Sequence, residues 1–226
     1  IPVVLKDNLS LEIEDIYNKL VVKERGGYCF EHNKLFYELL KNFEFKVTPF
    51  LARVVNNQNV QTPKTHRFTV LDYEGGRYLI DVGFGYFSPI VPIKFGGETT
   101  FSHVGKSYHI HQYEDQTYSL QIVLKDGFYT LYKFDLSPCF EVDFEMGHFY
   151  SHKHKNAIFV NNIVLSTISK DMIKSLRNND YFKIYKDKEE QIPIDSLEKL
   201  KEILNLEFNY PIGEDEIKYI YDNFVV

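Results

Sequence analysis

Apolar residues recur at helical spacing at the start of the chain. Ile13, Ile16 and Leu20 share one face of residues 11–22, and Ser10 stands where a helix cap is expected. Arg25-Gly26-Gly27 interrupts the pattern. A second helix is predicted from Cys29 to about Phe43, with Leu35, Phe36, Leu39, Leu40 and Phe43 as an apolar stripe facing the core. After Lys46 the pattern shifts to strands. Residues 47–55, 66–71, 77–84, 118–124 and 128–134 read as strands, with turn-rich breaks at Asp72–Gly76 and Lys125-Asp126-Gly127. Residues 158–169 read as one further strand. Helical spacing returns at 196–206 and at 214–224, the latter behind Gly213 as a cap.

No repeat or low-complexity linker divides the 226 residues. The pattern predicts an α+β protein in three parts: helical over 1–46, antiparallel β over 47–140, and α/β over 141–226. Nineteen Phe and 17 Tyr with no Trp suit either a plain core or a wide apolar cleft. The net charge of −6, with both signs interspersed, argues against a nucleic-acid partner. No apolar run approaches the roughly 20 residues of a membrane helix. Two cysteines cannot staple a chain of this length, so a reducing, cytoplasmic compartment is expected. The chain begins Ile1-Pro2, without Met.

Cys29 follows two glycines and opens a predicted helix. The partial positive charge of a helix start stabilises a thiolate, and its free N–H groups can face an acyl oxygen on the sulfur. The bland alternative is an inert buried thiol. A nucleophile needs a base, and the base an orienting group. Among eight histidines, His66 stands out because the following hairpin strand carries Asp81. A four-residue Asp72–Gly75 loop would set Leu71 against Gly76, Phe68 against Leu79 and His66 directly opposite Asp81. A two-residue Gly75-Gly76 turn would instead set His66 against Gly85. His109 and His111 alternate on a strand, and His148, His152 and His154 cluster. Few carboxylates besides Asp143 and Glu145 lie near them, so no metal site is expected.

Together these segments resemble the arylamine N-acetyltransferase family. The resemblance rests on Arg25-Gly26-Gly27-Tyr28-Cys29-Phe30-Glu31, Ala52-Arg53-Val54, Thr65-His66, Asp81-Val82-Gly83-Phe84-Gly85, and the later stretches 132–136 and 146–152. It covers most of the chain in the family's order. It implies a papain-like fold with a helical start, a central β-barrel and an α/β lid. It also implies a Cys29-His66-Asp81 triad, acetyl coenzyme A as co-substrate with no permanently bound cofactor, and ping-pong transfer to arylamines, arylhydrazines or N-hydroxyarylamines. Thr65, Phe84 and Gly85 match positions near the coenzyme. Val54, Phe84, Phe149 and Phe159 are expected at the acceptor, and Arg25 and Glu31 brace the site.

Two departures stand out. The family carries further N-terminal helices, and a Phe-Glu-Asn-containing stretch after an Ile-Pro pair; here Val3 follows Pro2 at once, so residues between them are expected to be missing. Where the family often has proline, this chain reads His152-Lys153-His154-Lys155. The rival readings are an amide synthase, a papain-like or transglutaminase-like hydrolase using the same triad, and a catalytically inert binding module.

Overall fold

The computed structural model describes residues 1–225. The first helix, α1 (Ile13–Tyr17), continues as a π-helical turn over Asn18–Val22. Ser10 does not cap it. Its Oγ accepts from the Glu12 N–H at 3.0 Å, so the hydroxyl closes a turn before the helix and Glu12 holds the cap position. The second helix, α2 (Cys29–Asn42), begins at the cysteine and packs on the first two strands. Its N-terminal turns are the buried ones, through Phe30, Glu31 and Asn33. Leu39 and Phe43, expected in the core, are 48% and 68% exposed, because the last turns of α2 stand clear of the sheet.

Eight antiparallel strands follow: β1 (Lys46–Val54), β2 (Lys64–Tyr73), β3 (Gly76–Ile80), β4 (Ile93–Lys94), β5 (Thr100–His103), β6 (Lys106–Gln112), β7 (Tyr118–Leu124) and β8 (Gly127–Phe134). They are ordered β4-β3-β2-β1-β8-β7-β6-β5, and β4 comes back against β6, so the sheet is a nearly closed barrel. Alternate residues point inward. Phe50, Ala52, Phe68, Val70, Leu79, Leu120 and Leu131 fill it.

The β2–β3 hairpin corrects the expected register. Tyr73 pairs with Gly76, Leu71 with Tyr78 and Thr69 with Ile80, around a two-residue Glu74-Gly75 turn. Both turn residues have positive φ, 48° and 73°, as the hairpin turn that matches strand twist demands. The register therefore lies midway between those of the four-residue loop and the Gly75-Gly76 turn. It is displaced by two residues from the one that sets His66 directly opposite Asp81, and the strand ends at Ile80, one residue before Asp81.

Beyond the barrel lie α3 (Glu141–Lys153), α4 (Ile158–Asn161) and a four-stranded sheet of order β12-β11-β10-β9. Its strands are β9 (Val164–Ile168), β10 (Ile173–Arg177), β11 (Asp180–Ile184) and β12 (Glu189–Pro193). The single strand expected at 158–169 is thus a helical turn followed by a strand. Asn161 stabilises the turn, its Nδ2 donating to the carbonyls of Lys155 and Ala157. Two helices close the chain: α5 (Leu197–Glu202), capped by Ser196, and α6 (Glu214–Ile220), with Gly213 at its cap. Both run on into π-helical turns. Leu176, Tyr181, Leu200, Leu204, Ile217 and Ile220 form their shared core with Val4. The chain runs from Pro2 into Val3 within one turn, in which Leu5 N–H meets the Ile1 carbonyl and Asp7 N–H the Pro2 carbonyl. Among the described residues no helix is long and apolar enough to cross a membrane.

Glu207 clamps the second sheet to the end of the α5 segment. Its carboxylate accepts from Lys183 at 2.7 Å and from the Tyr181 hydroxyl at 3.0 Å, with Lys174 also at 3.0 Å. The Lys183 bond leads in lowering its pKa to about 2. A depressed carboxyl stabilises the fold above its unfolded value and loses that contribution as pH falls through the folded one. Glu207→Gln should cost up to about 1 kcal/mol at pH 7, allowing for solvent screening. The gap between variant and parent melting temperatures should narrow steadily as the pH is lowered from 5 towards about 2, read by thermal melts across that range.

Candidate active site

Gly26 and Gly27 let the chain turn sharply into α2. Gly26 has a φ of +60°, and a side chain on Gly27 would meet Leu20 at 3.0 Å and Glu31 at 3.1 Å. Glu31 secures the helix start. Its Oε2 accepts from the Tyr28 N–H at 3.2 Å, and its Oε1 meets Lys19 Nζ at 2.6 Å. Cys29, the first residue of α2, is buried, and its thiol donates to the Thr65 carbonyl at 3.6 Å.

His66 lies on β2 with its ring fully enclosed, and its Nε2–H donates to Asp81 Oδ2 at 2.7 Å. That bond leaves Nδ1 for the sulfur, and Cys29 adds to the pull of Asp81 on the imidazole's proton. Burial alone would depress the His66 pKa. The negative charge of Asp81 and its hydrogen bond outweigh burial, and the net shift is upward. Burial would likewise raise the Asp81 pKa, but His66, Asn33 and the Gly83 N–H together lower it.

Strand pairing as such does not hold Asp81. It sits past the end of β3, yet its Oδ2 also accepts from the Tyr132 hydroxyl at 2.9 Å. Its Oδ1 accepts from Asn33 Nδ2 and from the Gly83 N–H, both at 3.0 Å. Asn33 in turn donates to the Arg67 carbonyl at 2.6 Å and accepts from the Val82 N–H at 3.0 Å. One buried amide thus joins α2, β2 and the loop after β3. The sequence singled out neither Asn33 nor Tyr132. A helical spacing of four residues between Asn33 and Cys29 was the available signal, since it puts both on one face of α2.

Of the other expected residues, Phe84 meets the His66 ring edge-on at 4.8 Å and Tyr132 at 5.1 Å. Thr65 supplies the carbonyl beside the sulfur and lines a cleft of about 540 Å³ with Leu51, Pro63, Met146, Phe149 and Tyr150. Gly85 opens a short 3-10 turn, Gly85–Phe87, with φ of +72°. Val54 lies on β1 opposite Tyr132. Phe159 packs edge-on against Tyr28 at 5.8 Å. Phe149 is 59% exposed, and Tyr150 stacks on His154 at 4.4 Å, so these rings do not all converge on Cys29. His148 accepts from the Tyr28 hydroxyl at Nδ1 and meets the Leu9 carbonyl at 3.2 Å through Nε2, tying α3 to the residue before the cysteine. Arg25 lies 3.7 Å from both Asp7 and Glu216, a bracing position.

The N-acetyltransferase family model matches residues 1–217 of the chain. The arylamine N-acetyltransferase of Escherichia coli (strain K12) is 28% identical over 220 residues, which are 96% of this chain and 77% of that protein. That of Mycobacterium bovis is 30% identical over 176 residues, 76% of this chain and 62% of that protein. The solved arylamine N-acetyltransferase of Salmonella typhimurium superposes with a TM-score of 0.90 at 25% identity, covering 99% of this chain and 85% of that one. The Mycobacterium marinum enzyme, solved in complex with CoA, shares the fold, with a TM-score of 0.91 at 23% identity over 100% of this chain and 86% of that one.

Gly83 makes this geometry accessible to test. A Cβ there would lie 2.7 Å from the Cys29 Cα and 2.8 Å from Asn33 Nδ2. Gly83→Ala should therefore push the start of α2 away from Asp81, at a cost of about 1–3 kcal/mol in thermal stability. In the parent protein, iodoacetamide at neutral pH should modify Cys29 faster than Cys139, whose thiol pKa is raised by burial. In the glycine variant that preference should shrink, as read by peptide mass spectrometry over time.

Proposed function

The chain belongs to the arylamine N-acetyltransferase family, and from that premise we propose that it carries an acetyl group from acetyl coenzyme A to an aromatic amine through a thioester on Cys29. The observation that supports this reading most is the buried 2.7 Å bond from His66 Nε2 to Asp81, with Cys29 at the start of α2 acting on the same imidazole.

In the first half-reaction His66 Nδ1 takes the thiol proton of Cys29. The sulfur attacks the thioester carbonyl, and the Cys29 N–H, which has no acceptor within the helix, donates to the developing oxyanion. The bond to the coenzyme's sulfur breaks, and His66 returns the proton to that leaving thiolate. In the second half the amine nitrogen attacks the acetyl-Cys29 carbonyl, His66 accepts its proton, and the amide leaves as the cysteine is released. Asp81 stays ionised throughout and fixes the ring so that Nδ1 faces the sulfur.

Coenzyme A is expected along Thr65, Phe84 and Gly85, which run from the sulfur to the turn beyond Asp81. The acceptor is expected against Phe84, Phe159 and Val54, with Phe149 at the rim. Segments 1–46, 47–140 and 141–226 then act as nucleophile carrier, barrel and lid.

The expected result with acetyl coenzyme A is a 1:1 acetyl adduct on Cys29 by mass spectrometry, and release of coenzyme A that an anisidine or an arylhydrazine accelerates. Release at one rate with or without amine would make water the acceptor and the chain a hydrolase. Adduct formation from a carrier-bound acyl chain alone would make it an amide synthase, and no adduct at all would leave an inert module. Asp81→Asn, which keeps the shape but loses the charge, should slow adduct formation by about 10²–10⁴-fold.

A further inference from the structure

Beyond the cysteine site, the turn Gly85–Phe87 presents two adjoining rings, Tyr86 and Phe87, with centroids 3.9 Å apart and planes tilted by 34°. Two cations rest on them. The Arg177 guanidinium, at the end of β10, lies between Tyr86 at 4.2 Å and Phe182 at 4.0 Å. Lys106, at the start of β6, holds its ammonium 4.7 Å from the Phe87 centroid. Among the described residues neither cation makes an ion pair within 4.0 Å. Arg177 Nε is buried without a hydrogen-bond partner, and so is Nε2 of His103, which pairs with Lys106 across the β5–β6 hairpin. Lys186 adds a third cation beside Gly105, and Glu189 is the acid whose charge reaches Lys106. Burial lowers the Lys106 pKa, Glu189 raises it and the like charge of Arg177 lowers it further, for a net downward shift.

A guanidinium clamped between two rings has little side-chain entropy left to lose, and its planar edge matches a phosphate. Two cations held close with no acid in contact are relieved by an anion. The place also fits. Tyr86 is three residues from Gly83, hence at most about 11 Å along the chain from the glycine that abuts Cys29. The ligand should therefore carry its negative charge some way from the atom that reacts at the sulfur. A thioester on a long arm ending in phosphates has that shape.

We propose that Arg177 and Lys106, held on the Tyr86–Phe87 platform, bind the phosphate groups of coenzyme A. The proposal rests on the transfer reading above. It assigns phosphate binding to the seam between the barrel and the second sheet, so donor recognition draws on residues more than 70 positions along the chain from the cysteine motif.

The test compares donors sharing one thioester: acetyl coenzyme A, its 3′-dephospho form, and S-acetylpantetheine, which has no phosphate. For Arg177→Gln and Lys106→Gln, kcat/KM is measured for each donor. The ratio of acetyl coenzyme A to S-acetylpantetheine should fall about tenfold in each variant, with the change in KM. Partial misfolding lowers both values and leaves the ratio alone. If the 3′-dephospho donor escapes the loss, the site holds the 3′-phosphate; if it shares the loss, the site holds the pyrophosphate. An unchanged ratio while the parent still acetylates Cys29 overturns the phosphate site and spares the transfer reading. A parent that leaves Cys29 unmodified overturns the transfer reading. Calorimetry with coenzyme A then judges the site, and equal affinity in parent and Arg177→Gln overturns it too.

Discussion

The buried carboxylate of Asp81 is the constraint on which the rest depends. An ionised group that is 2% exposed is tolerated only if donors replace the water it has lost. Four do so: His66 from β2, Tyr132 from β8, Asn33 from α2, and the Gly83 N–H from its own loop. Each donor comes from a different element, so the charge is satisfied only when helix, barrel and loop have come together. Removing one donor leaves a buried acceptor short by about 1–3 kcal/mol. The arrangement that orients the imidazole is therefore also part of what holds the fold. Gly83 brings the loop against the backbone of α2 at Cys29.

The sequence carried the identities of these residues better than their geometry. Cys29 at a helix start was legible from the glycines before it and the helical spacing after it. His66 facing Asp81 was legible for a reason that survives the register error. Strand side chains alternate with a period of two, so a slip of two residues keeps every side chain on its face. Asp81 reaches the ring from just beyond the strand end instead of from directly across. A slip of one would have placed it on the wrong face. Asn33 shares the Cys29 face of α2, but a lone Asn within an amphipathic helix reads as surface. Its burial follows from contacts with residues 34 and 48 positions away.

The C-terminal third was the least readable part, also for physical reasons. The strands β10–β12 are five residues each and carry two charged residues apiece, so no apolar run announces them. Asn161-Asn162 ends the α4 turn through side-chain bonds to nearby carbonyls, and hydrophobic periodicity does not see such bonds. The apolar stripe of α2 misled in the opposite direction. Leu39 and Phe43 have the right spacing, but a helix that leaves its sheet buries only the turns that still touch it.

The distribution of aromatic rings around Cys29 bears on the choice between water and amine as acceptor. Phe84 and Tyr132 close the imidazole from the barrel side, and Phe159 with Tyr28 closes the helix side. Phe149 faces solvent, and Tyr150 is engaged with His154. Cys29 itself is 4% exposed, and the cleft lies beyond Thr65, whose carbonyl meets the thiol. Water outcompetes an amine on concentration alone, so transfer prevails only where the bound amine gains a large effective molarity, up to about 10⁵ M or more, and excludes water as it binds. Under the transfer reading proposed above, an acceptor that enters from the cleft has to displace its water. A planar aromatic amine can do both at once, placing its nitrogen at the thioester and its ring across the mouth of the cleft, whereas a small aliphatic amine would leave that mouth wet. An aromatic acceptor is therefore the one this proposal expects to be favoured.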